Sequence, residues 1–183
     1  MKFIKTEIPE VVIIEPRLFK DDRGYFYEAF SQEKFDENIG QTTFIQDNES
    51  KSTYGVVRGL HYQLPPFAQA KLVRVLQGNI LDFAVDIRKG SPTFGKHISV
   101  ELSSDNKKQL FVPRGFAHGF VVLSETAEVA YKIDNKYSPE HEASIKFDDK
   151  TLGLDLKIDS KDIIMSAKDI VAPSFEEAIT FEY

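Results

Sequence analysis

The chain has 183 residues, enough for one domain with a proper hydrophobic core. Its 23 Lys and Arg against 29 Asp and Glu give a net charge of −6, which speaks against a general nucleic-acid-binding face, since such surfaces need clustered cations to displace counterions. There is no Cys, so disulfides, thiolate metal sites and Cys nucleophiles are excluded, and the N-terminal apolar run Val11-Val12-Ile13-Ile14 is too short for a signal segment or a membrane span. The expectation is a soluble cytoplasmic protein with no membrane partner.

No repeat, low-complexity stretch or linker divides the sequence, so residues 1–183 read as a single domain. Helical pattern is confined to Gln32–Glu37 and a turn or two near the C-terminus. Elsewhere short runs of Val, Ile, Phe and Tyr are broken by Gly, Pro, Asn and Asp, the pattern of an all-β sandwich or barrel. Lys71 to Leu76 reads as a strand joined through Gln77-Gly78-Asn79, as a hairpin turn, to the strand Ile80 to Ile87. In the latter, Leu81, Phe83, Val85 and Ile87 alternate with Ile80, Asp82, Ala84 and Asp86. Further strands are predicted at Ile98–Leu102, Gln109–Val112, Gly119–Leu123 and Glu128–Ile133.

The residues able to carry chemistry fall in a few dense clusters. In Val57-Arg58-Gly59-Leu60-His61-Tyr62-Gln63, the period of two sends Arg58 and His61 to opposite faces, unless a bulge at Gly59 resets the register. The bland alternative is a solvated Arg58 and a satisfied wall histidine. Lys71 shares a face with Val73 and Val75; it either snorkels to water or is buried against an anionic or polar partner. Pro113-Arg114-Gly115-Phe116-Ala117-His118 forms a tight turn and delivers His118 into a strand. A metal reading of that histidine is weak, because the chain has only four His and no His-x-His pair. Tyr131 shares a strand face with Val129 and Ile133, as a core tyrosine or a proton donor, and Tyr137 stands at the turn just beyond. Asp169, in Ser166-Ala167-Lys168-Asp169, reads either as half of a helix capping box or as an orienting carboxylate for a histidine.

Together these clusters resemble the RmlC family, the dTDP-4-dehydrorhamnose 3,5-epimerases. The resemblance runs through Asp22-Arg23-Gly24-Tyr25-Phe26-Tyr27-Glu28, Gln46-Asp47-Asn48, Val57 to Gln63, Lys71 to Val75, Asp86 to Gly95, the Pro113 turn, Tyr131-Lys132, Tyr137 to Glu140 and Ser166 to Asp169. It implies a cupin-type jelly-roll or double-stranded β-helix barrel, a homodimer, and no metal or other cofactor. It implies conversion of dTDP-4-dehydro-6-deoxy-D-glucose to dTDP-4-dehydro-L-rhamnose, a step toward L-rhamnose in cell-surface polysaccharides. By the same resemblance His61 is the general base, Asp169 its paired carboxylate, Tyr131 the acid on the opposite sugar face and Lys71 the stabiliser of the enolate oxygen. Arg23, Glu28, Gln46, Asn48, Arg58, His118, Tyr137, Glu142 and Lys168 are the residues it assigns to the nucleotide, diphosphate or sugar.

The chemistry suits these residue types. A proton beside a ketone needs a base with a pKa near working pH, and a neighbouring carboxylate raises a histidine toward neutrality. Inversion needs a separate acid on the other wall, and a desolvated cation stabilises the developing oxyanion. Competing readings are a mono-epimerase acting at C3 or C5 only, a non-catalytic sugar-nucleotide-binding cupin, and a metal-dependent cupin. The chain departs from the family in having no Trp: Phe147 and Leu156 stand where tryptophans are common, and Lys150 where proline is. These changes are expected to bear on pocket shape and dimer packing.

Overall fold

The computed structural model describes residues 1–183. In chain order its elements are β1 (Lys2–Lys5), β2 (Val12–Glu15), β3 (Phe19–Asp21), β4 (Gly24–Phe26), α1 (Gln32–Asn38), β5 (Gln46–Thr53), β6 (Val57–Gln63), β7 (Lys71–Gln77) and β8 (Asn79–Asp86). They continue with β9 (Arg88–Lys89), β10 (His97–Ser103), β11 (Gln109–Val112), β12 (Phe116–Val122), β13 (Thr126–Ile133), β14 (Glu142–Ser144), α2 (Ala167–Ile170) and β15 (Phe181–Glu182). Two antiparallel sheets carry the fold: six strands in the order β1-β2-β11-β7-β13-β5, and five in the order β10-β8-β12-β6-β14. This is the all-β, cupin-type sandwich expected from the sequence.

The alternation along the strands sorts their side chains into three apolar layers. Between the sheets lie Val73, Val75, Ile80, Ala84, Leu110, Val112, Phe120, Val122 and Val129. Behind the five-stranded sheet, Leu81, Phe83, Val85 and Val121 are covered by the C-terminal third of the chain, including Ile145, Phe147 and Leu152. Behind the six-stranded sheet, Phe35 of α1 packs on Val12, Ile14, Leu72 and Phe111. Ser31 caps α1 by accepting the Lys34 N–H at 3.4 Å, which satisfies one of the helix's orphan donors.

One turn differs from its sequence reading. Gln77-Gly78-Asn79 is not a hairpin: β7 belongs to the six-stranded sheet and β8 to the five-stranded one, so the chain turns a corner between layers. Gly78 has φ +80°, and a Cβ there would lie 2.1 Å from Thr126 O, so the corner is set by close backbone approach rather than by strand pairing. Strand β12 also begins earlier than expected, at Phe116 rather than Gly119.

The register of β6 on β12 is the feature that builds the site. His118 pairs with His61 and Phe120 with Arg58, so three residue steps on β6 oppose two on β12. The extra residue is a bulge at Gly59-Leu60. It places Val57, Leu60 and Tyr62 in the outer layer, while Arg58 and His61 both border the interior cavity. Gly59 has φ +123°, and a Cβ on it would fall 2.6 Å from Gly119 Cα and 2.7 Å from His118 O. Gly59→Ala therefore combines backbone strain with a clash against backbone that cannot yield, at a cost of roughly 2–4 kcal/mol. Differential scanning calorimetry is expected to show Tm lowered by about 5–15 °C for a domain of this size.

Candidate active site

The sheets separate at one end around a polar cleft of about 530 Å³, within the range of a small-ligand site. From the six-stranded sheet come Gln46 and Asn48 of β5, Lys71 of β7 and Tyr131 of β13; from the five-stranded sheet come His61 of β6 and Glu142 of β14. A smaller chamber of about 120 Å³ adjoins it, shared by His61, Lys71 and Tyr131 and bordered by Ser50, Arg58, His118 and Phe120. His61 and Tyr131 thus reach one space from opposite walls.

His61 Nε2 lies 2.6 Å from Asp169 Oδ1, and the aspartate is only 4% exposed while the imidazole keeps 32% of its surface open. A carboxylate only accepts, so Nε2 carries the proton and Nδ1, which has no partner in the chain, keeps the free lone pair. The Asp169 carboxylate satisfies no backbone N–H, so the capping role at α2 falls to Ser166 alone. The Asp169 N–H donates to Ser166 Oγ at 3.2 Å, capping α2, but its carboxylate goes to His61. The balance of charges differs from the sequence expectation. Burial pushes the His61 imidazole below its ordinary pKa, and outweighs the raising effect of Asp169.

Lys71 does not snorkel out. Its ammonium donates to His61 O at 3.3 Å, and burial pushes its pKa down to about 8 against the opposing pull of Asp82 and Glu142. Burial raises the Tyr131 phenol, with the Arg58 charge and the Asn48 amide pulling it part of the way back. Arg58 is held by Ser52 Oγ, which accepts from its Nε at 3.0 Å. His118 is buried, with Nε2 at 2.8 Å from Asp82 Oδ1. At the rim, Glu142 Oε2 accepts from Lys168 Nζ at 2.5 Å and from the Tyr137 hydroxyl at 3.1 Å. Gln46 Nε2 donates to Asn48 Oδ1 at 2.7 Å.

Two residues expected at the site stand apart from it. Arg23 is 89% exposed in the β3–β4 turn, paired with Asp21, and Glu28 binds Lys34 at 2.6 Å beside a separate cleft with Phe19 and Phe26. Two others were missed. Gln63 is buried and ties together the loops flanking the cleft, donating to Phe67 O at 2.6 Å and Lys136 O at 3.1 Å and accepting from Ser138 N–H at 2.8 Å. It follows His61 by two residues on the same strand face, so the alternation could have found it. Asp82, one of two acids in the strand Asn79–Asp86, is fully buried. Phe147 meets Phe83 edge-on at 5.3 Å and Leu156 packs in the same layer, both behind the five-stranded sheet and outside the cleft lining. The missing tryptophans therefore do not shape the pocket walls.

A histidine–carboxylate pair facing a tyrosine across a polar cleft, with a partly buried lysine on the tyrosine's wall, fits a cupin-type acid–base enzyme, and comparison places it among isomerases. The family model for dTDP-4-dehydrorhamnose 3,5-epimerase matches residues 5–177, and the chain belongs to that family. Its dTDP-4-dehydrorhamnose 3,5-epimerase relative from Shigella flexneri is 52% identical over 182 residues, covering 99% of each chain. The crystal structure of the Elizabethkingia anophelis enzyme of that name superposes with a TM-score of 0.93 at 55% identity, covering 97% of each chain. A Legionella pneumophila RmlC structure, in complex with dTDP-4-keto-L-rhamnose, gives a TM-score of 0.95 at 45% identity over 100% of this chain and 98% of that one.

The electrostatics of the His61 pair can be checked without substrate. In a ¹⁵N NMR titration, the His61 imidazole is expected to gain its proton below the ordinary imidazole range. In Asp169→Asn the midpoint should fall further, because the raising partner is lost while burial remains. A midpoint that rises on this substitution contradicts the assigned balance.

Proposed function

We propose that this chain converts dTDP-4-dehydro-6-deoxy-D-glucose to dTDP-4-dehydro-L-rhamnose by proton transfer on both faces of the sugar. The observation that carries the reading is the placement of His61 and Tyr131 on strands of opposite sheets around one cleft. His61 removes the proton from a carbon beside the 4-keto group, and the C–H electron pair moves into the carbonyl to form an enolate. Lys71, as a cation, stabilises the enolate oxygen. Tyr131 then delivers its phenolic proton to the same carbon from the other face, inverting it, and exchange with solvent restores both residues. The sequence of events is repeated at the second carbon. Burial favours a neutral imidazole and a neutral phenol, the forms a base and an acid need before reaction. Gln46, Asn48, Arg58, His118, Tyr137, Glu142 and Lys168 line or rim the space left for the sugar nucleotide.

Incubation with dTDP-4-keto-6-deoxyglucose in heavy water is expected to place deuterium at C3 and at C5, read by NMR and mass spectrometry. Label at one carbon only makes the enzyme a mono-epimerase. His61→Asn should lower turnover by at least about 100-fold with nucleotide affinity retained, and unchanged turnover in that variant removes His61 from the mechanism.

The working form proposed is a cytoplasmic homodimer in which Arg23 and Glu28 serve the partner's cleft. What supports it is their position on an exposed segment away from their own pocket, with Phe19, Tyr25 and Phe26 exposed around them. No helix is long and apolar enough to cross a membrane. Mixed dimers of Arg23→Ala and His61→Asn chains should regain turnover, because one cleft per dimer then has both residues intact. Two inactive homodimers that stay inactive after subunit exchange would place Arg23 in its own chain's site, and an Arg23→Ala homodimer of full activity would place it outside the reaction.

A further inference from the structure

The proposed chemistry needs three partly buried groups in particular protonation states, and desolvation helps only two of them. Desolvation disfavours charge, so it keeps the base His61 and the acid Tyr131 neutral, as their roles require. For Lys71 the same force works against the role, because only the ammonium stabilises an enolate. Something must oppose it.

Lys71 shares its two cavities with His61 and Arg58 of β6, Tyr131 of β13, His118 of β12, Glu142 of β14, Asp47 and Glu49 of β5 and Tyr137. The two carboxylates that act on it are Glu142 and, from behind His118, Asp82 of β8. Arg58 is a second cation and adds to the difficulty. Of the two anions, Glu142 is engaged at the rim by Lys168 and Tyr137. Asp82 is different. It sits on the inner face of β8 between Ile80 and Ala84 of the central core, wholly removed from solvent. Its Oδ1 is held by His118 Nε2 at 2.8 Å, and its Oδ2 is buried with no hydrogen-bond partner. A buried carboxylate with an idle oxygen is costly unless a charge nearby compensates it, and Lys71, with one long bond to His61 O, is a cation short of partners.

We propose that Asp82 is a positioning residue: its carboxylate, oriented by His118, is the counter-charge from the opposite sheet that keeps Lys71 an ammonium beneath the reacting carbonyl. The role rests on the proposed epimerase chemistry only for its catalytic meaning; the Lys71–Asp82 coupling stands or falls on its own. It agrees with the direction in which Asp82 acts on Lys71, upward against burial, toward the value of about 8. His118 presents its N–H to Asp82, since a carboxylate only accepts, and so leaves its other nitrogen free.

The test uses the full-length protein carrying ¹³C at lysine Cε, with Lys71→Met assigning the signal, and the variant Asp82→Asn. Asparagine can still accept the His118 hydrogen bond, so only the charge is lost. The Lys71 midpoint is expected to move down by about one pH unit or more. The alkaline limb of kcat/KM should move with it, while the acid limb set by His61 stays in place. A Lys71 midpoint and an alkaline limb that both stay unchanged in Asp82→Asn overturn the proposal, and leave Asp82 a fixture of His118 alone. If the wild-type protein does not epimerise, the functional reading fails while the NMR titration still decides the coupling. If Asp82→Asn does not fold, the double variant Asp82→Asn/Lys71→Met removes both charges and should recover folded protein. A double variant that is as unfolded as the single one counts against the pairing.

Discussion

The site depends on one steric constraint, the contact of backbone with backbone at Gly59 and Gly119. A Cβ on Gly59 would strike Gly119 Cα, and a Cβ on Gly119 would lie 2.6 Å from both Arg58 O and the Phe147 ring. Neither strand has room for a side chain there, so β6 and β12 close up and the extra residue of β6 is taken up in the bulge. Without that bulge the period of two would send Arg58 or His61 out of the cavity. The same contact seats Phe147 behind the sheet, so the outer layer and the inner chemistry share one register.

From this register the division of labour between the sheets follows. The five-stranded sheet presents His61, His118 and Asp82; the six-stranded sheet presents Lys71, Tyr131, Asn48 and Gln46. Groups on different sheets are held apart by the interlayer spacing of roughly 10 Å, which leaves room for a ring between a base on one wall and an acid on the other. Asp169 is brought to His61 by the C-terminal segment rather than by either sheet. That segment also covers the outer layer, so its packing and the orientation of the imidazole are coupled.

Much of this was legible from residue order. The strands read at Lys71–Leu76, Ile80–Ile87 and Glu128–Ile133 match β7, β8 and β13 to within two residues at each end, and Gly59 was readable as the place where Arg58 and His61 could be brought together. The corner at Gly78 was not. Gln-Gly-Asn between two apolar runs has the chemistry of a hairpin, and only the partners of β7 and β8 in separate sheets show that it is a crossover. Asp82 escaped because an acid alternating with apolar residues looks like the solvent face of a strand, whereas β8 is covered on both sides. Arg23 and Glu28 lie on an exposed hairpin and the connection that follows it, away from the cleft, which their residue types alone do not reveal. The sign of the His61 shift was also missed. Pairing with Asp169 can be anticipated from sequence, but the depth of burial that outweighs it is a property of the assembled cleft.

One physical cause, desolvation, therefore acts on every titratable group at the centre and serves them unequally. It depresses the imidazole, raises the phenol and depresses the ammonium. A cleft wet enough to keep Lys71 charged unaided would screen the very field that stabilises an enolate. A cleft dry enough to give that field its strength would strip the lysine of its proton. Placing a carboxylate behind the lysine, away from the substrate space and buried in the core, resolves the conflict locally. It sustains the cation without rehydrating the site, and an apolar residue at position 82 would pack better but leave the ammonium without support. The idle oxygen of Asp82 is the mark of that compromise: a group kept in the core for the charge it presents to its neighbour, not for the bonds it completes.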